Sequence, residues 1–301
     1  MSKPRKILLT TDFSKESLRA FGPIGRMAQD TGAEIRLLHV LPVVQQDLLA
    51  GTGYPFALPD LDREIEVAQQ QIDRLAGTLP PGVRVTTHVV SGHGVAEHIV
   101  AHAKTEGVDL IAHSTHGRTG LRRLALGSIA EAVLQRAEVP TLAFPASESE
   151  RVRDPEMPLR ILLPTDLSEA SLLPLRVLSD WELLEKAQLH VLNVVPELTV
   201  IPHGSPMAPP MPAPDTAERL SSAKDAVAAM CSDQPELASA SQTVLADQDA
   251  AQAVARYATD NEIDWITLST HGRTGWRKLV LGSVAGAILR HSPVPVLSVP
   301  R

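Results

Sequence analysis

The sequence predicts an α/β chain made of two tandem open five-stranded parallel sheets with helices on both faces. Three observations predict it. The stretch Ser114-Thr115-His116-Gly117-Arg118-Thr119-Gly120, continuing to Gly127-Ser128, returns about 155 residues later as Ser269-Thr270-His271-Gly272-Arg273-Thr274-Gly275, continuing to Gly282-Ser283. Lys6-Ile7-Leu8-Leu9-Thr10-Thr11-Asp12-Phe13-Ser14 is matched in the same way by Arg160-Ile161-Leu162-Leu163-Pro164-Thr165-Asp166-Leu167-Ser168. Within each half, short β-rich runs alternate with longer segments of helical period, the pattern of a parallel sheet covered by helices.

Taken in order, the β-rich runs place strands of the first half near 6–10, 34–40, 84–90, 109–114 and 141–144. Those of the second half fall near 160–164, 188–194, 241–245, 265–269 and 296–299. Helices fill the intervals. Ser14 and Ser168 stand where an N-cap is needed after each first strand, and Gly32 suits a helix end. After each second strand comes a long connection, from Pro42 to about Pro59 and from Pro196 to Pro214. The second is rich in Pro and Met, which predicts an exposed, irregular excursion.

The duplication divides the 301 residues into two units of about 150, each large enough to bury its own core. The expected division is 1–145 and 159–301, with the polar, proline-flanked residues 146–158 as linker. An apolar content of 44% with 3% aromatics suits an Ala/Val/Leu-rich α/β protein better than a disordered or membrane chain. No stretch approaches the length of a membrane span, and Ile7-Leu8-Leu9 is too short for a signal peptide, so a cytoplasmic location is expected. A net charge of -7 gives no global pull toward nucleic acid. Cys231 is the single cysteine, which excludes an internal disulfide and suits a small apolar filler.

The matched polar and glycine residues point to a site. The apolar run from Asp109 leads into Ser114, so the glycine-bearing loop starts at the carboxyl end of a fourth strand and finishes at Gly127-Ser128, where a helix begins. A helix start offers unpaired N–H groups and a partial positive charge, and glycine allows close approach, which together make an anion cradle. Ser128 and Ser283 add a hydroxyl there, while Gly117 and Gly272 permit the loop to curl back. Asp12 and Asp166 lie just past the first strands. If the fourth strand neighbours the first, carboxylate and cradle face one crevice at the point where strand order reverses. A nucleotide, with hydroxyls and a polar ring at one end and phosphates at the other, matches both.

On these residues the chain resembles a tandem universal stress protein, with similarity over essentially all of both halves. That family carries a glycine, two residues, a glycine, nine residues, and then glycine with Ser or Thr. Gly117 with Gly127-Ser128, and Gly272 with Gly282-Ser283, fit the later elements. Ser114 and Ser269 stand in place of the first glycine, and their hydroxyls can meet a ribose or phosphate oxygen. The resemblance implies an adenine nucleotide alpha hydrolase-like fold and ATP, with or without Mg2+, as ligand. It implies that the Thr11-Asp12 and Thr165-Asp166 loops meet the adenine side and that Val40 and Val194 contact the base. Phosphates would lie against Gly117, Gly127 and Ser128, and against Gly272, Gly282 and Ser283. It also implies a pseudo-twofold pairing of the halves through their last strands, Thr141 to Phe144 and Val296 to Val299, and leaves open whether two chains form a homodimer.

Arg118 and Arg273 are added to the phosphate side for their charge and position, their alternative being solvated loop residues. Arg122, Arg123, Arg277 and Lys278 extend the two basic clusters. His116 and His271 are expected to fix the loop's shape through a backbone hydrogen bond rather than act as a base. His98 and His102, with Glu97, have a metal-ligand spacing, but Ala253 and Tyr257 replace them in the second half, so a solvated helix face is the preferred reading. No Gly-Lys-Ser/Thr follows either glycine loop, and no Gly-x-Gly-x-x-Gly follows either first strand, which argues against a P-loop and a classical dinucleotide fold. No nucleophile is recognisably paired with a base, so nucleotide binding with at most slow hydrolysis is expected. The alternative is a protein-interaction module of the same fold.

Overall fold

In the computed structural model, which describes residues 3–43, 60–115, 126–145, 157–197, 199–200, 211–212, 216–270 and 282–300, the chain divides into two units, Ser2–Ala146 and Ser147–Arg301. The first runs β1 (Lys6–Thr10), α1 (Lys15–Leu18), α2 (Phe21–Thr31), β2 (Glu34–Pro42), α3 (Leu61–Ala76), β3 (Val85–Gly92), α4 (Val95–Glu106), β4 (Leu110–Ser114), α5 (Ser128–Arg136) and β5 (Thr141–Phe144). Its strands pair in parallel in the order β3-β2-β1-β4-β5.

Ile7, Leu8 and Leu9 are all fully buried although they point alternately to opposite faces, which requires helices on both sides of the sheet. On one face Leu8, Leu38, Val40 and Ile111 pack with Ala96, Ile99 and Ala103 of α4 and Val133 of α5. The strands are aligned at their starts by Asp109, whose carboxylate accepts from the backbone N–H groups of Arg5 and Lys6. Gly32 ends α2 in the left-handed region at φ 72°, as its position in the sequence predicts.

The second unit repeats the plan with β6 (Leu159–Thr165), α6 (Leu173–Asp180), β7 (Ala187–Pro196), β8 (Thr199–Val200), β9 (Met211–Pro212), α7 (Thr216–Ser232), β10 (Ser241–Asp247), α8 (Ala250–Asp260), β11 (Trp265–Ser269), α9 (Ser283–His291) and β12 (Val296–Val299). The large-sheet order is β10-β7-β6-β11-β12, again parallel. Asp264 takes the role of Asp109 and accepts from the N–H of Arg160.

The strands fall within a few residues of their expected bounds, β2 and β7 continuing to Pro42 and Pro196 because pairing depends on backbone groups and proline is tolerated at a strand's end. One expectation needs correction. The connection from Pro196 to Pro214 is not wholly irregular, since β8 and β9 pair antiparallel, Thr199 opposite Pro212 and Val200 opposite Met211.

Candidate functional site

Asp12 folds its loop on itself. Its Oδ1 accepts from both the N–H and the hydroxyl of Ser14, while Ser14 Oγ accepts from the N–H of Ser17 and so caps α1. Thr11 Oγ1 accepts from the N–H of Phe13. Because the Ser17 hydroxyl proton goes to the Ser14 carbonyl, Thr11 is the donor in the 2.9 Å contact between the Thr11 and Ser17 hydroxyls. The turn forces Phe13 to φ 66°, a conformation that a side chain resists.

The second unit reproduces each part. Asp166 Oδ1 accepts from the N–H and hydroxyl of Ser168, Thr165 Oγ1 accepts from the N–H of Leu167, and Leu167 sits at φ 65°. Here Ser168 caps a 3-10 turn, Glu169–Leu172, where the first unit has an α-helical turn. Two non-glycine residues are thus held at matching positive φ, each directly after an aspartate, so the two loops share one strained turn.

The loops are pinned from the second strands by residues that sequence identity hides. His39 Nδ1 donates to the Thr11 carbonyl at 2.8 Å, and Asn193 Nδ2 donates to the Thr165 carbonyl at 2.9 Å. Different side chains do one job. Ser17 and Ser171 are identical in the two units, whereas His39 and Asn193 differ.

The opposite wall starts from β4, which lies next to β1 with Leu9 opposite Ala112. Thr115 N–H bonds the Phe144 carbonyl, and the Thr115 carbonyl receives the Gly127 N–H at 2.9 Å, holding the start of α5 over the carboxyl end of β4. Gly127 is the N-cap and supplies no side-chain cap, and Ser128 is exposed. In the second unit Thr270 joins Val299 and Gly282 in the same way, with Gly282 the uncapped start of α9 and Ser283 exposed. Ser114 and Ser269 end β4 and β11 below these helix starts.

The adjacency on which the one-crevice expectation depended is therefore present: Asp12 and Gly127 follow neighbouring strands, as do Asp166 and Gly282. Val40 lies in the last third of β2. Its side chain is buried in the cluster with α4 and α5, and its backbone lies near the carboxyl end of β2. His116, Gly117, Arg118, His271, Gly272 and Arg273 lie outside the described residues, as do the remaining cations of the two basic clusters. A cavity of about 370 Å3 lies on the other face of the first sheet, between Phe13, His39 and Leu41 and the α3 residues Arg63, Val67 and Gln71. It contains none of the expected binding residues, so the adjacency of the strand ends, rather than this cavity, defines the candidate site.

The solvated-face reading of His98 and His102 also needs correction. His102 is half-buried and meets His88 of β3 edge-on, with ring centroids 4.8 Å apart, while His98 lies against Gly92. Burial, then His88, lower the His102 pKa, with Glu106 opposing and Arg36 adding a smaller lowering. In the second unit the Tyr257 hydroxyl bonds His190 Nδ1 and Thr243 Oγ1 at this place. Among the described residues no group of three or more His, Cys, Asp or Glu is arranged to hold a metal ion. Cys231 is buried, and burial raises its pKa, in keeping with a packing role. Among the described residues no helix is long and apolar enough to cross a membrane.

A parallel sheet of order 3-2-1-4-5, with a self-capped aspartate loop and a glycine-started helix at its switch point, defines a Rossmann-like α/β protein, here present twice in one chain. The Universal stress protein family model matches residues 3–145 and again 157–300, and the chain belongs to that family. Universal stress protein MJ0531 of Methanocaldococcus jannaschii is 31% identical over 147 residues, covering 48% of this chain and 85% of the relative. Universal stress protein MJ0577 of the same organism is 29% identical over 160 residues, covering 48% and 97%. The crystal structure of a universal stress protein from Archaeoglobus fulgidus matches with a TM-score of 0.62 at 19% identity, covering 99% of this chain and 98% of that one, a likeness of fold.

Proposed function

We propose that each unit binds an adenine nucleotide, ATP with or without Mg2+, across the carboxyl ends of its first and fourth strands, and that the protein acts in the cytoplasm as a stress-response or signalling binder. The observation that carries this reading is the repeated placement of an aspartate turn and an uncapped helix start beyond adjacent strands. The helix start fits phosphate: it presents amides and positive dipole, and no cap side chain competes. A Cβ at Gly282 would meet only Ala285 Cβ at 4.0 Å, so the approach to that helix start is open among the described residues.

In this reading Thr11, Asp12 and the Val40 backbone take the base and sugar side, and Ser114, Gly127 and Ser128 the phosphate side. His116, Gly117 and Arg118 complete it. Thr165, Asp166, Val194, Ser269, His271, Gly272, Arg273, Gly282 and Ser283 are the second set. The sites are not equal: α5 carries Glu131 in its first turn, where α9 has Gly286, so the second helix start is the more receptive to an anion.

This reading is of binding with at most slow hydrolysis. The test is to denature freshly purified protein and assay the supernatant for released adenine nucleotide, then to titrate stripped protein with ATP, ADP and AMP. Released or saturably bound nucleotide supports the reading. Its absence in both experiments leaves the interaction-module alternative, and phosphate release that vanishes in Gly127→Asp/Gly282→Asp adds the ATPase activity.

The division into 1–145 and 159–301, and pairing of the halves through Thr141 to Phe144 and Val296 to Val299, are part of the same proposal. Cleavage within 146–158 should leave two fragments that elute together, and fragments that separate contradict the pairing. Light scattering on the intact chain tests the homodimer.

A further inference from the structure

His113 belongs to β4, one residue before Ser114, and the second unit has Leu268 in its place. It lies opposite Ala143 of β5, and because Leu9 is opposite Ala112, it also lies beside Thr10 at the end of β1. Strand alternation puts its ring on the same face as Ile111, the face that α5 covers. The position is thus between the Asp12 loop and the start of α5, at the floor of the proposed site.

The imidazole is only 4% exposed. Its Nδ1 lies 2.9 Å from the Ser114 carbonyl, which can only accept, so Nδ1 carries the proton and Nε2 of the neutral ring is an acceptor. Burial lowers the pKa and the bond to Ser114 opposes this, so the free protein holds the ring neutral near pH 7. Nε2 is buried with no hydrogen-bond partner. An enclosed acceptor without a donor is disfavoured, and native proteins supply one from ligand or water.

We propose that His113 Nε2 accepts a hydrogen bond, direct or through one water, from a sugar hydroxyl of the nucleotide bound to the first unit, and so makes this site selective for a ribonucleotide. The inference rests on the nucleotide reading. A ligand reaching from Asp12 to the start of α5 carries its sugar across the end of β4, and its fully ionised phosphates have only acceptors to offer a neutral Nε2. Leu268 offers nothing equivalent, so the second site lacks the selectivity.

The test uses the full chain with the second site silenced by Gly282→Asp, titrated calorimetrically with ATP, 2′-deoxy-ATP and 3′-deoxy-ATP. One deoxy nucleotide should bind about tenfold more weakly than ATP, the effect of one hydrogen bond to a buried acceptor. Adding His113→Leu, which copies the side chain of the second unit, should weaken ATP to the same level and abolish the difference between nucleotides. His113→Gln, which retains an acceptor, should restore part of it. Equal weakening of all three nucleotides by His113→Leu, or no effect, overturns the proposal and leaves a structural or enclosed-water role. Absence of ATP binding before His113 is changed overturns the nucleotide reading itself.

Discussion

Aspartate in place of Gly127 and Gly282 separates ligand binding from folding. Gly282 is at φ -55° and ψ 143°, and Gly127 at -61° and 140°, backbone that any residue adopts. Aspartate is also a better N-cap than glycine by a few tenths of a kcal/mol, so the ligand-free protein should melt at an unchanged or slightly higher temperature. With ATP at a hundred times its dissociation constant, the folded wild type gains about 2.7 kcal/mol. For a unit of this size that is a rise of roughly 5–10 °C in melting temperature. A carboxylate about 5 Å from one phosphate charge is repelled by about 3 kcal/mol at an effective dielectric near 20, weakening binding more than about a hundredfold. At the same ATP concentration the gain then falls to about 0.4 kcal/mol, and the shift to roughly 1–2 °C. Scanning calorimetry of wild type and Gly127→Asp/Gly282→Asp, with and without ATP, reads both effects. A full ATP shift in the double variant refutes the cradle, and a ligand-free melting point several degrees lower refutes the claim that these glycines serve ligand approach.

Other outcomes follow from the packing. In their native environments His102 and His113 have pKa values below the ordinary 6.5, so the stability they confer is fully present above that value and is lost as pH falls through it toward the folded pKa. Urea midpoints should drop between pH 8 and 5, with each group raising the unfolding constant at most about tenfold by pH 5.5, and His113→Leu should flatten the profile. Asn193→Leu should lower stability by about 1–3 kcal/mol in urea titrations, because it leaves the buried Thr165 carbonyl unpaired, whereas Asn193→His, the first unit's solution, should cost less. A Cβ at Gly25 would lie 2.5 Å from Pro80 Cδ and 3.3 Å from Leu79 Cδ2, so Gly25→Ala should destabilise the protein despite alanine's helix preference of about 1 kcal/mol. A melting temperature at or above wild type would show that Pro80 can move away.

The repeat made the sheet readable because parallel strands buried on both faces are nearly continuous apolar runs, and Ile7-Leu8-Leu9 and Ile161-Leu162-Leu163 stand out as such. It also picked out Asp12 with Asp166 and Gly127 with Gly282, because each pair keeps one residue type at both positions. It could not show what anchors the aspartate loops, because His39 and Asn193 supply the same donor with different side chains. β3 was harder to bound, since none of its residues is fully buried and its pairing extends to Gly92. His102 was misread because helical spacing says which residues share a turn, whereas its contact is with His88, on another element.

The central claim is that two helix starts and two aspartate turns make two nucleotide sites in one chain. Equilibrium dialysis of the stripped full-length protein against labelled ATP measures it most directly. Saturation near two ATP per chain, lost in Gly127→Asp/Gly282→Asp, is the predicted result. No saturable binding, or binding that survives both substitutions, would contradict it.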